Sequence, residues 1–160
     1  MIKNSMIKDS MVKDSISIVL SVHNQEEIIG DVIKGIFDNI SNNVKDMFII
    51  LANCTDNSES KILFSLAENK KNNPFIVNLV YSEYSNKLIT NNIGCKSSEN
   101  EYSLIIPDNM IIDEVIFDEN LLESFDLDGI SEDAMEGRYM VLLKNSELPE
   151  LNFEGIGLDE

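Results

Sequence analysis

"SISIVLSVHNQEEIIGDVIKGIFDNI" (residues 15–40) changes its period part-way along. Residues 15–22 read as β-branched and apolar, the pattern of a central parallel strand buried on both faces. After Asn24 the apolar side chains fall at Ile28, Ile29, Val32, Ile33, Ile36 and Phe37, one stripe of a helix. Asn24 with Glu27 three residues on is a capping signature, and Glu26 and Glu27 suit the positive end of the helix dipole. A strand followed by a helix is the repeating unit of a parallel sheet.

The unit recurs. "DMFIILA" (46–52) reads as a second buried strand. Asp56 and Glu59 then repeat the cap spacing ahead of Ile62, Leu63, Leu66 and Ala67. "PFIVNLVYS" (74–82) is a third strand, "SNKLITNNIGCKSSEN" (85–100) a short helix through the Asn91–Asn92 pair, and "EYSLII" (101–106) a fourth strand. Beyond Asp108 the pattern weakens. "VIF" (115–117) suggests a short strand, "ENLLESF" (119–125) a helical turn or two, and "RYMVLLK" (138–144) a clear strand. The opening M-[IV]-K-[ND]-S near-repeat has a period of five, which fits neither helix nor strand, so residues 1–14 read as a flexible leader. With no Pro/Gly/Ser-rich linker elsewhere, residues 15–160 are expected to form one α/β domain, a mostly parallel central sheet flanked by helices.

Charge narrows the function classes. Residues 1–98 carry 11 acids and 10 bases, whereas residues 99–160 carry 18 acids against Arg138 and Lys144 alone, so the net charge of −17 sits almost wholly in the last third. Such a surface repels phosphate backbones and anionic lipid, which disfavours nucleic-acid and membrane-surface roles. No apolar stretch reaches the length of a membrane helix, and no signal-peptide segment precedes the first strand. The two cysteines, Cys54 and Cys95, form no CxxC and have no histidine beside them, which favours reduced cytoplasmic thiols over zinc or a disulfide.

Parallel sheets bind ligands at the carboxyl ends of their strands, here the loops "SVHNQEE", "LANCTDNS", "YSEYSNK" and "IPDNM". None is a glycine-rich phosphate loop, and His23 is the single histidine, so a Ser-His-Asp triad has one base to draw on. A response-regulator receiver does not fit, because no acidic pair follows the first strand and Asp56 follows the second. Asp108 stands open between two readings, a metal-ligating carboxylate and a Pro-Asp-Asn turn residue.

The order of the pieces resembles a family 2 glycosyltransferase of the GT-A fold. "ISIVLSVHNQEEIIGDVIKGI" (16–36) is similar to that family's opening strand and helix. "IILANCTDNS" (49–58) is similar to its V-V-[DN]-[DN]-x-S-x-D-x-[ST]. "NKLITNNIGCKSSENEYSLIIPDNMII" (86–112) resembles the stretch ending in Asn-Pro-Asp, the form seen in rhamnosyltransferase-like members. "MVLLKNSELPELNFEGIGLDE" (140–160) resembles the later strand and Phe-Asp-Glu turn. The resemblance implies transfer of a sugar from a nucleotide-diphosphate sugar, with a divalent cation, Mg²⁺ or Mn²⁺, against the leaving diphosphate. Carried onto this chain, it puts Ser21 and His23 at the base and ribose and Glu26 at the family's acid. Asn53 falls beside the base, Asp56 at the S-x-D acid, and Lys87 and Asn91 on the pyrophosphate side. Asp108 takes the metal position, and Asp159 and Glu160 the acids of the acceptor side.

Departures from the pattern are visible in the same residues. Ala52 stands where an acid usually reads the base, Ile106 replaces the Asn of Asn-Pro-Asp, and the glycine expected near Asn86 is missing. Only 51 residues separate Asp108 from Asp159, which implies a reduced acceptor side or a protein partner that completes it. Two functions therefore stand open, a small metal-assisted glycosyltransferase and a non-catalytic interaction or nucleotide-sugar-sensing module of the same fold.

Overall fold

The computed structural model describes residues 16–39, 44–69, 76–113, 136 and 140–148. The leader, the segments 115–117 and 119–125, and Asp159 and Glu160 lie outside these residues. In chain order the elements are β1 (Ile16–Val22), α1 (Ile29–Asn39), β2 (Val44–Ala52), α2 (Ser58–Glu68), β3 (Ile76–Ser82), α3 (Lys87–Ser97), β4 (Tyr102–Ile105) and β5 (Val141–Lys144). They form one five-stranded sheet in the order β3-β2-β1-β4-β5. β1 pairs in parallel with β2 and β4, β2 with β3, and only β5 runs antiparallel, against β4.

Strand β1 is buried at all seven residues, as its unbroken pattern requires. Its side chains alternate between two cores. Ile16, Ile18, Leu20 and Val22 join Val32, Ile33 and Ile36 of α1. Val19 turns the other way, with Phe48 and Ile50 of β2 and Cys95 of α3. Each fully buried aliphatic side chain here contributes about 1.5–3 kcal/mol. The serines that interrupt β1 are also satisfied. Ser17 bonds Asp46 and Ser98, and Asn100 Nδ2 donates to Ser17 Oγ at 2.7 Å. Ser21 Oγ donates to Asn91 Oδ1 at 2.7 Å.

Two glycines set how closely the helices approach. A Cβ on Gly94 would lie 2.5 Å from Val19 Cγ1, so α3 rests directly on β1. A Cβ on Gly35 would lie 2.5 Å from the Ile112 carbonyl oxygen, and Asn39 Nδ2 donates to that same oxygen at 3.0 Å. The chain after β4 is thereby held against α1.

Helix α2 departs from its expected stripe. Leu63 is 46% exposed and Ala67 is exposed, while Ser58, Ile62, Ser65 and Asn69 face inward. The physical reason is its neighbour: α2 lies beside α1, and Ser65 Oγ donates to the Gly30 carbonyl at 3.2 Å. A polar stripe suits a helix that meets another helix's backbone rather than the sheet.

Candidate functional site

The strand order reverses between β1 and β4, so this pair marks the topological switch point where open α/β sheets leave a crevice. His23 follows β1 and Asp108 follows β4, and the structure brings them together. Pro107 to Met110 form a β-turn closed by the Met110 N–H on the Pro107 carbonyl at 3.2 Å. Asp108 is thus a turn residue, yet it is only 6% exposed because three donors surround it. The His23 backbone N–H donates to Oδ2 at 2.9 Å, Lys87 Nζ donates to the same oxygen at 2.8 Å, and Gln25 Nε2 lies 3.5 Å from Oδ1. One carboxylate therefore ties the loop after β1, the start of α3 and the loop after β4.

His23 is fixed by its ring as well. Nδ1 sits 2.7 Å from the Ala52 carbonyl, and since a carbonyl can only accept, Nδ1 carries the proton. The ring thereby spans the ends of β1 and β2. Ala52 itself is fully buried, and Asn53 beyond it turns with φ 50°, a left-handed conformation that Asn tolerates. The Asn53 N–H donates to the Ser82 carbonyl at 2.8 Å, which closes the ends of β2 and β3 together.

The loops after β1 and β2 are stitched to each other. Asn24, also left-handed at φ 50°, accepts the Thr55 N–H at 2.8 Å and donates to Thr55 Oγ1 at 3.0 Å. It does not cap α1, whose first turn instead uses the Gln25 carbonyl as acceptor for the Ile28 and Ile29 N–H groups. Asp56 accepts the N–H groups of Ser58 at 2.9 Å and of Glu26 at 3.2 Å. Burial pushes the Asp56 carboxyl up, but the hydrogen bonds from Ser58 and Glu26 outweigh it and hold the group below the usual carboxylate range. Glu26 accepts from Asn57 Nδ2 at 3.3 Å. Glu59 completes no capping box; it accepts the Tyr81 hydroxyl at 2.7 Å.

Beside this stitching lies a cavity of about 340 Å³ at the ends of β2 and β3, lined by Asn53, Cys54, Glu59, Tyr81 and Glu83 among others. Cys54, on its wall, donates its thiol to the Val22 carbonyl at 3.1 Å. Burial raises its thiol pKa, Asp56 and Asp108 raise it further, and Lys87 opposes them. One residue of the cavity wall is thus within electrostatic range of the ion pair.

Of the residues singled out in the sequence, Asn53 lines the cavity, while His23, Lys87 and Asp108 meet at the switch point. Glu26 and Asp56 hold the loops after β1 and β2 together. Ser21 and Asn91 are each 2% exposed and bond one another between β1 and α3. Tyr81 and Glu83 were not singled out because nothing in their local sequence shows that β3 ends beside β2, and Gln25 because its partner Asp108 lies 83 residues away.

Among the described residues no three His, Cys, Asp or Glu side chains come close enough to hold a metal ion. Asp113 lines a groove along α1 with Asp31, Lys34 and Asp38, and Asn109 is exposed. Asp108 is left as one carboxylate with an ammonium already against it. A unit charge 4 Å from another near a protein surface interacts by about 4 kcal/mol, so that ammonium opposes a cation placed on Asp108. These residues do not fit a resident metal ion.

No protein-family model matches the chain, and no curated protein matches it in sequence. Solved structures do match its shape. A mannosyltransferase from Pyrobaculum calidifontis, determined with GDP-mannose and Mn²⁺, superposes with a TM-score of 0.53 at 12% identity, over 78% of this chain and 31% of that one. Glucosyl-3-phosphoglycerate synthase from Mycobacterium tuberculosis, determined with Mn²⁺, UDP and its product, gives 0.52 at 16% identity, over 69% and 39%. A mycobacterial protein gives 0.52 at 17% identity, over 70% and 35%. The fold is GT-A-like. The chain spans about a third of the length of these neighbours. Among the described residues no helix is long and apolar enough to cross a membrane.

Proposed function

We propose that this GT-A-like domain binds the nucleoside-diphosphate part of a sugar donor and serves glycosyl transfer. The observation that carries the reading is the partly buried Lys87–Asp108 pair at the switch point, together with a cavity of about 340 Å³ at the ends of the neighbouring strands β2 and β3. That volume falls within the range of ligand pockets, at its lower end, and suits a nucleobase with part of its ribose. Asn53 on the cavity wall offers both a donor and an acceptor to a base edge, and the His23 ring reaches the Ala52 carbonyl just before it. Lys87 and the Asp108 turn would face the phosphates. The Asn-Pro-Asp form of the resemblance points to a rhamnosyltransferase-like subtype, and Asp159 and Glu160 are the proposed acids of the acceptor side. Two free cysteines accord with a cytoplasmic protein.

A second reading has its own observation. Ala52 has no side-chain group to read a base, and among the described residues no group of three His, Cys, Asp or Glu side chains forms around Asp108. A module that senses nucleotide sugars without turnover needs the cavity and not the acids. Both readings require donor binding. The test is calorimetric titration of UDP, dTDP and GDP, followed by assay of UDP- and GDP-sugar hydrolysis. Binding with slow hydrolysis supports the transferase; binding without it supports the sensor. Absence of binding by all three nucleotides defeats both.

A further inference from the structure

We infer that the crevice takes its nucleoside diphosphate without a metal ion, the Lys87 ammonium meeting the phosphates where a divalent cation would otherwise stand. This rests on the donor-binding reading above and specifies how that site works.

Three observations converge. The first is that Asp108 is already spent. Its Oδ2 accepts both Lys87 and the His23 N–H, and no further carboxylate completes a shell of hard oxygen ligands among the described residues. The second is that Lys87 is not spent. An ammonium carries three protons, Asp108 takes one, and the side chain remains 28% exposed. The third is that several neighbouring backbone donors are engaged internally. The N–H groups of His23 and Glu26 go to Asp108 and Asp56. Those of Thr55 and Asp56 go to Asn24, and those of Leu88 and Ile89 to Asn86. With these N–H groups engaged, the partly exposed Lys87 side-chain cation is a donor on offer to a phosphate. Asp108 then acts as a tether. It holds the ammonium of a flexible side chain at one place, which lowers the ordering cost of meeting an anion.

The test is titration of UDP and GDP into the full chain, once in EDTA and once with Mn²⁺, repeated on two variants. The expected result is affinity equal within about twofold in the two buffers, and a loss of about tenfold or more in Lys87→Ala. Since Lys87→Ala strands a buried carboxylate and can impair folding, the double variant Lys87→Ala/Asp108→Asn removes both charges. It should show the same loss. Binding that appears only with Mn²⁺ would overturn the metal-free inference and leave donor binding intact. Binding in EDTA that survives the double variant would overturn the role of Lys87. Absence of binding in both buffers would remove the donor reading, and this inference with it.

Discussion

Asp108 holds three segments of chain through two oxygens, so its loss should be felt in stability before any ligand is added. Asp108→Ala leaves the Lys87 ammonium and the His23 N–H without their acceptor. The expected cost is about 1–3 kcal/mol in urea unfolding, reduced toward the lower end because Lys87 is partly solvated. A change below about 0.5 kcal/mol would show that the carboxylate does not hold the loops. Asp56 gives a pH signature. Its folded-state pKa lies below the ordinary 3.8, so its contribution is present in full above 3.8 and disappears as pH falls through the lower folded value. Asp56→Asn should therefore narrow the gap to wild type in acid and cost about 1 kcal/mol at neutral pH, read from paired urea curves. Burial pushes the Cys95 thiol up to about 12, so in the folded protein Cys95 should resist a thiol reagent while Cys54, half-exposed, reacts slowly. Rapid labelling of both would show that α3 lifts from the sheet.

The elements were legible where one physical rule dominated. β1 is an apolar strand covered on both faces, and α1 presents the stripe from Ile29 to Phe37 that the spacing demands. What escaped the sequence depended on long-range partners. Asn24 has the spacing of a cap, but a better acceptor role was open to it 31 residues away at Thr55. Leu63 sits at a helical position that would be buried if α2 lay on the sheet, and is exposed because α2 lies beside α1. The glycines give a contrasting set of predictions. Gly94→Ala and Gly35→Ala place a Cβ 2.5 Å from Val19 Cγ1 and from the Ile112 oxygen, and each should cost about 1–3 kcal/mol. Gly30, also within α1, has nothing within 4 Å of its added Cβ, so Gly30→Ala should stabilise by about 0.5–1 kcal/mol. Thermal melts of the three variants would check the order, and a destabilised Gly30→Ala with neutral Gly94→Ala would contradict the packing.

At the level of the whole molecule, the alternation of strand and helix made the α/β class readable, and it marked the loops at the strand ends as the places for a ligand. The order of the strands was not readable, since β3-β2-β1-β4-β5 depends on which edges pair, and that order is what sets Asn53 and Tyr81 on one cavity. Charge acts globally too. With a formal net charge of −17, self-repulsion opposes the compact state, so added NaCl should raise the melting temperature by about 2–4 °C. Nucleotide affinity should move the opposite way, because salt screens Lys87 from the phosphates. The one measurement to make first is two-dimensional amide NMR of the full chain during addition of UDP or GDP. Donor binding predicts shifts concentrated at His23, Asn53, Lys87 and the Asp108 turn, with β5 and the far end of α1 unmoved. A spectrum unchanged by either nucleotide, or shifts gathered away from the strand ends, would contradict it.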